Sequence, residues 1–308
     1  MPELRLGNLT LHAHHGKNLL DTLLAQGQSV PWSCRGGYCH TCLIQAQPGQ
    51  APAEACHMLT TEQREAGWLL SCQCPVVQDM DLRLHDPARD DLSAEVVSVT
   101  PVDNVVILRL RPERPLRFLP GQHLALWLDS QLGRPYSIAS LPGEPWLEFH
   151  IRRHASGAFS RAAADLSAGD KLFLGSPTGA LQYDPDWQDR PLLLLAAGTG
   201  LAPLQAILRH ALESGHEAPI ELWHWSTSDC YLENRLGELA DQHSQLTVKL
   251  QRRSTLADDI RQLRIASRRT MALICGDPGF VEHLRKPLFF AGLPGRQVLD
   301  EAFHSRPQ

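Results

Sequence analysis

Cys34, Cys39 and Cys42 stand in the run Cys34-Arg35-Gly36-Gly37-Tyr38-Cys39-His40-Thr41-Cys42, and Cys72 follows after a gap of twenty-nine residues. The spacing C-x4-C-x2-C with a distant fourth cysteine is the plant-type pattern for a [2Fe–2S] cluster held by four thiolates. Three ligands on one tight loop and a fourth from a distant strand let the sulfurs converge on two iron atoms. Gly36 and Gly37 allow the backbone to curl there and aim N–H groups at sulfur. The rival is a structural zinc site recruiting His40 or Cys74, although zinc sites usually use two C-x2-C knuckles and only one is present. Cys72 and Cys74 are both candidates for the fourth ligand, whereas Cys56 and Cys230 read as ordinary thiols. One such cluster moves a single electron at a time, so the remaining chain must contain what supplies electrons.

Arg134-Pro135-Tyr136-Ser137 offers a cation for phosphates, an aromatic surface and a hydroxyl within four residues, which is what a flavin needs. Downstream, Gly157-Ala158-Phe159-Ser160 is a glycine turn opening a helix, where backbone N–H groups could take a pyrophosphate. Either piece alone would pass for an ordinary turn. The run Leu192-Leu193-Leu194-Leu195-Ala196-Ala197-Gly198-Thr199-Gly200-Leu201-Ala202-Pro203 leads an apolar strand into a glycine-rich turn and a helix with proline near its start. That arrangement puts phosphate at a helix N-terminus, although it is not the G-x-G-x-x-G fingerprint. Cys275-Gly276-Asp277-Pro278-Gly279 ends a later strand, where open parallel sheets bind ligands. A small polarizable thiol there could lie beside a nicotinamide ring; the plain reading is a core cysteine.

The elements that must position these residues fall into three patterns. With 308 residues, the chain is long enough for two or three domains. Residues 1–86 open with strand-like Leu4–Leu6 and Leu9–His12 joined at Gly7-Asn8, a hairpin signal. A helical stretch Asn18–Gln26, the cysteine loop, a polar helix near Thr60–Ala66 and strand-like Trp68–Cys74 and Asp79–Leu84 follow. Residues 87–91, charged and carrying proline, read as a linker. Residues 92–187 hold short apolar runs separated by Pro and Gly turns, which predicts an antiparallel barrel. Residues 188–308 alternate strand and helix, which predicts a parallel α/β sheet. The longest apolar run, Pro191 to Ala197, is far short of a membrane span of ~20 residues. The start of the chain lacks a signal-peptide pattern, so a cytoplasmic location is expected by default. A net charge of −5 argues against a nucleic-acid partner.

Taken in order, these pieces resemble the ferredoxin–flavin–nicotinamide reductases that serve bacterial ring-hydroxylating dioxygenases and soluble monooxygenases. The resemblance covers essentially the whole chain. It implies a β-grasp ferredoxin domain, an antiparallel β-barrel FAD domain and a Rossmann-like NAD(P) domain. It implies cluster ligands Cys34, Cys39, Cys42 and Cys72, the last because Leu69-Leu70-Ser71-Cys72 resembles the ferredoxin pattern. Pro120-Gly121-Gln122 looks like the family's first barrel turn. Arg134, Pro135, Tyr136, Ser137, Ile151, Gly157, Phe159 and Ser160 become the expected FAD contacts. Gly198, Thr199, Gly200, Pro203, Cys275, Gly276 and Phe303 become the expected nicotinamide-side contacts, with Ser137, Cys275 and Glu301 around hydride transfer. The implied activity passes electrons from NAD(P)H through FAD and the [2Fe–2S] cluster to a partner oxygenase. A relay serving a deoxysugar dehydratase, or a non-catalytic zinc- or flavin-binding module, stands as the alternative. Three departures are visible: His40 where the family often has Gly, Asp277 where relatives often have Pro first, and His224-Trp225-Ser226-Thr227 in place of a Gly-x-Arg stretch. Lacking that Arg, the chain is expected to prefer NADH, with Arg252 and Arg253 still able to reach a 2′-phosphate.

Overall fold

The computed structural model describes residues 1–304. Glu3–Leu6 (β1) and Leu9–His12 (β2) form the hairpin at Gly7, whose φ of +60° needs no side chain to yield. Leu19–Ala25 (α1) begins where the Asn18 side chain accepts the Asp21 N–H, and it buries Leu19, Leu20 and Leu23. Leu43–Ala46 (β3), Thr61–Glu65 (α2), Trp68–Leu70 (β4) and Met80–Leu84 (β5) complete the first segment. The strands run β2-β1-β5-β3-β4, with β1 parallel to β5 and every other pairing antiparallel. The segment read as a linker is ordered: Pro87–Asp90 (α3) is a helical turn capped by Asp86. Its acidic residues pair with side chains just before it, Asp90 with Arg83 of β5 at 3.1 Å and Asp91 with His85 at 3.1 Å, which explains how so polar a stretch packs.

Leu92–Val102 (β6), Val105–Pro112 (β7), His123–Trp127 (β8), Gly133–Ser137 (β9), Leu147–Arg152 (β10) and, after helix Ala158–Ala164 (α4), Lys171–Leu174 (β11) make an antiparallel sheet in the order β10-β7-β6-β11-β8-β9. A bridge between Ile138 and Phe149, with the Ala139 N–H donating to the Glu148 carbonyl at 2.8 Å, joins its two edges. Closing the sheet leaves no edge strand open to water and encloses a core around Leu108, Leu124 and Phe149.

Leu192–Ala197 (β12), Leu201–Glu213 (α5), Ile220–Ser226 (β13), Glu233–Gln242 (α6), Leu246–Arg252 (β14), Leu256–Gln262 (α7), Met271–Gly276 (β15), Pro278–Phe290 (α8) and Val298–Ala302 (β16) alternate into a parallel sheet. Its order is β14-β13-β12-β15-β16. Period-two alternation explains why the Leu192–Ala197 run is continuously apolar. Leu192, Leu194 and Ala196 pack with Leu201, Leu204 and Leu208 of α5, whereas Leu193, Leu195 and Ala197 pack with Phe280 and Leu284 of α8. The chain winds outward from β12 in both directions, so the carboxyl ends of β12 and β15 frame the crevice where such sheets take ligands.

Candidate active site

The four thiols of the first segment lie in two pairs. In each pair one thiol donates to the other: Cys39 to Cys34, and Cys42 to Cys72. Those hydrogen bonds lower the acceptors, Cys34 to about 5 and Cys72 to about 7, and push the donors Cys39 and Cys42 up, with burial adding to the rise. Backbone geometry supports the arrangement. The Gly36 N–H donates to Cys34 Sγ at 3.3 Å, the Cys34 N–H to Cys39 Sγ at 3.5 Å, and Gln73 Nε2 to Cys72 Sγ at 3.5 Å. The curl is made by Arg35, Gly37 and His40, all left-handed at φ +53°, +86° and +52°. Cys72 sits in a single 3-10 turn after β4 rather than in the strand, and Ser71 Oγ ties that turn to the Cys42 carbonyl at 2.8 Å.

Cys74 is elsewhere: its thiol points to the Pro75 carbonyl at 3.8 Å, and burial, then Cys56 and Glu54, push it up to about 12. Among the described residues, no three His, Cys, Asp or Glu side chains converge as one metal ion would require. Two pairs of thiols suit two irons better than a single tetrahedral zinc, so the donor set fits a [2Fe–2S] cluster. His40, 6 % exposed, has no protein partner for either ring nitrogen, and burial lowers its pKa to about 4, so it stays neutral beside the loop.

The barrel supplies the second group. Arg134, Pro135, Tyr136 and Ser137 lie along β9, so alternate side chains face alternate sides. The Tyr136 ring packs 5.1 Å from the Phe159 ring, centroid to centroid, joining β9 to α4. Gly157 caps α4, and a Cβ there would come within 2.6 Å of Ser160 Oγ. Ser160 is occupied within the turn, accepting from the His154 N–H at 3.1 Å. Ile151 is wholly buried in the barrel core, which leaves its backbone as the part available to a cofactor. An aromatic platform, an arginine and a glycine turn with little room for a side chain make a bed that a dinucleotide flavin fits.

The third group closes over the carboxyl ends of β12 and β15. Gly198 turns left-handed at φ +54°, and a Cβ on Gly200 would lie 2.1 Å from the Cys275 carbonyl oxygen, so the two turns approach as only glycine permits. Pro203 is buried in the first turn of α5. Register pairs Cys275 with Glu301 and Gly276 with Ala302, and the Phe303 N–H donates to the Gly276 carbonyl at 2.8 Å. Cys275 is buried, and burial, then Glu301 and Asp300, push its thiol well up, so it is an uncharged neighbour rather than a nucleophile. Ser137 Oγ donates to Glu301 Oε1 at 3.4 Å. Ser137, Cys275 and Glu301, from two different sheets, thus meet at one corner.

Several residues in this region were not foreseen from the sequence. His224, in the stretch noted above as a departure, donates from Nε2 to the Gly198 carbonyl at 3.0 Å beneath the glycine turn. Glu148 in β10 accepts from Arg109 Nε at 2.8 Å, from Arg235 Nη1 of α6 at 2.7 Å and from His150 Nε2 at 3.1 Å, joining barrel to parallel sheet. His123, the residue after Pro120-Gly121-Gln122, reaches both the Tyr38 carbonyl and Glu301. No local pattern marks these side chains, because, His150 beside Glu148 apart, their partners lie 26 to 178 positions away. Arg252 pairs with Asp229 at 2.6 Å, Arg253 with Asp277 at 2.9 Å, and the Ser226 hydroxyl bonds the Ser228 carbonyl.

Comparison with known proteins finds a domain family for each of the three segments. Residues 6–77 match the 2Fe-2S iron-sulfur cluster binding domain, 94–183 the oxidoreductase FAD-binding domain, and 194–286 the oxidoreductase NAD-binding domain. The chain is 30% identical over 309 aligned positions to the naphthalene 1,2-dioxygenase system ferredoxin–NAD(P)+ reductase component of Pseudomonas putida, covering 94% of each chain. It is 32% identical to the corresponding component of the naphthalene 1,2-dioxygenase/salicylate 5-hydroxylase systems of a Ralstonia species, covering 96% of each. A crystal structure of an Amycolatopsis cytochrome P450 reductase superposes with a TM-score of 0.66 at 27% identity, covering 98% of this chain and 99% of the other. The three sheets, the paired thiols and these matches agree, and the chain belongs to the ferredoxin–NAD(P)+ reductase family of iron–sulfur flavoproteins.

Proposed function

We propose that this chain is the reductase component of a bacterial oxygenase system, drawing electrons from NADH and delivering them to an oxygenase partner in the cytoplasm. The observation that carries the reading is the corner where Ser137 of the barrel and Cys275 and Glu301 of the parallel sheet meet, Ser137 Oγ lying 3.4 Å from Glu301 Oε1. Bound FAD would take two electrons from NAD(P)H as hydride there, and the cluster would pass them on singly. On this reading residues 1–86 would hold the cluster, 92–187 FAD, and 188–308 the nicotinamide dinucleotide. Cys34 and Cys39 would bind one iron, Cys42 and Cys72 the other. Arg134 and the Gly157 turn would hold the FAD phosphates, with Tyr136 and Phe159 as the aromatic support. Gly198, Thr199 and Gly200 would cradle the nicotinamide dinucleotide, with uncharged Cys275 beside its ring. Ser137 would hydrogen-bond the flavin ring, and Glu301 would orient that hydroxyl.

NADH is favoured because the cations that could take a 2′-phosphate are engaged, Arg252 by Asp229 and Arg253 by Asp277. No helix among the described residues is long and apolar enough to cross a membrane. The relatives' names carry the oxygenase as partner, since they are reductase components of dioxygenase systems.

An anaerobic absorbance titration tests this reading. Flavin and iron–sulfur bands that bleach on adding NADH, and more slowly with NADPH, are expected. A colourless protein that binds zinc would overturn it.

A further inference from the structure

His123 opens β8 and is 8 % exposed. Its backbone is held by a reciprocal pair of bonds to Thr178, the N–H donating to the Thr178 carbonyl at 2.9 Å and the carbonyl accepting from the Thr178 N–H at 2.8 Å. The ring extends between two other segments of the chain. Nε2 is 2.9 Å from the Tyr38 carbonyl oxygen, within the cluster loop between Cys34 and Cys39. Nδ1 lies 3.3 Å from Glu301 Oε1 in β16, within ion-pair distance but without hydrogen-bond geometry, and Ser137 Oγ donates to that same oxygen. A carbonyl and a carboxylate only accept hydrogen bonds, so both ring nitrogens face acceptors, one on each side. Register sets His123 directly opposite Ser137 across β8 and β9, and cross-strand neighbours on one face are held close. The ring is also boxed. Gly179 follows Thr178 with φ +116°, and a Cβ there would lie 3.1 Å from His123 Nδ1 and 3.6 Å from Glu301 Oε2. Among the described residues, Ser33 Oγ also bonds the His304 carbonyl at 3.4 Å and Ser29 Oγ bonds Gln131 Oε1, both from the stretch that leads into the cluster loop. His123 alone of these touches both the loop and the Ser137–Glu301 pair.

We propose that His123 is a positioning residue that clamps the cluster loop, through the Tyr38 carbonyl, to the Ser137–Glu301 corner and so fixes the gap that electrons cross on their way to the cluster. The inference rests on the electron-relay reading above. A histidine that merely filled space would be replaceable by any side chain of its volume. A clamp requires a donor at the Nε2 position, because the Tyr38 carbonyl can only accept.

The test uses the full-length, cofactor-loaded protein as wild type, H123L and H123Q. Anaerobic stopped-flow mixing with NADH follows flavin bleaching and cluster bleaching separately. In H123L the cluster phase is expected to slow severalfold, and by a larger factor than the flavin phase. In H123Q, whose carboxamide N–H can still reach the Tyr38 carbonyl, most of that loss should return. Hydrogen exchange without NADH gives an independent reading: the amides of residues 35–42 should exchange faster in H123L and regain protection in H123Q. Equal slowing of both phases, unchanged loop exchange, or an H123Q no better than H123L would each overturn the clamp. If H123L does not fold, H123Q against wild type decides it, since near-normal exchange and cluster rates are required there. A wild type whose flavin does not bleach with NADH would sink the relay reading instead, and the exchange comparison would still judge the clamp.

Discussion

Glu148→Gln should loosen the junction between the barrel and the parallel sheet, and its cost can be worked from the contacts. The carboxylate is 3 % exposed and accepts from Arg109, Arg235 and His150. Burial alone would raise its pKa, but the hydrogen bonds from His150 and Arg235 outweigh this and hold it well below the usual carboxylate range. His150 lies beyond reach of water, and burial keeps it neutral, so Nε2 donates to Glu148 while Nδ1 accepts from the Tyr231 hydroxyl at 2.9 Å. Removing one member of a buried ion pair costs about 3–5 kcal/mol. Here the arginines left behind keep about a third of their side chains in water (32% and 33%) and can resolvate, so the lower end, about 3 kcal/mol, applies. For a unit of some 200 residues, each kcal/mol moves Tm by roughly 2–4 °C, which predicts a fall of about 6–12 °C. Release of FAD fluorescence during a slow thermal scan of the holoprotein reads this directly. Because the folded-state pKa is depressed, the carboxylate's contribution is fully present above the ordinary value of about 4.3 and is lost only as pH falls well below it. The gap between wild type and E148Q should therefore be flat from about pH 8 to 5 and narrow only in stronger acid. A Tm change under about 2 °C, or a gap that closes between pH 7 and 6, would show that Glu148 does not hold the domains together.

Three further outcomes follow from the same geometry. Cys72→Ser should leave a protein without the iron–sulfur absorbance, while Cys74→Ser keeps it, because only Cys72 shares a pair with Cys42; iron analysis beside the visible spectrum separates the two. Asp229→Asn should raise kcat/KM for NADPH by no more than about fivefold, since the exposed Arg252–Asp229 pair is worth about 0.2–1 kcal/mol, and a larger gain would place the specificity elsewhere. Gly200→Ala drives a Cβ to 2.1 Å from the Cys275 carbonyl oxygen, a backbone clash that no rotamer relieves. It should cost at least about 3 kcal/mol in urea unfolding and abolish nicotinamide binding, and near-wild-type stability would mean the two turns are not in contact as described.

What was legible in the sequence is what chemistry confines to a short stretch. The cysteine loop could be read because cluster ligation constrains spacing along the chain, and the Leu192–Ala197 strand because burial on both faces demands an unbroken apolar run. Local signals also give the hairpin at Gly7 and the alternating strands and helices after residue 190. They fail where length or composition misleads. The four-residue β3 follows the last loop cysteine with no turn residue to announce it, and the linker-like charges of residues 85–91 fold around α3 by pairing with one another and with Arg83 of β5.

The site divides along the same line. Arg134–Ser137, Gly157, Gly198–Gly200 and Cys275 each belong to a turn or strand end whose residue types announce a ligand. Glu301 is silent alone and acquires meaning only when register places it beside Cys275 and the barrel brings Ser137 to it. His123, His224 and Glu148 act wholly through partners from other segments: a carbonyl in the cluster loop, a carbonyl in the glycine turn, an arginine on α6. A relay of cofactors needs its sites in fixed register across domain borders, and the side chains that fix that register answer to no local spacing rule. They are therefore where variants of this chain should change the coupling between steps while each cofactor remains bound, and substitutions in the motifs themselves should instead remove a cofactor outright.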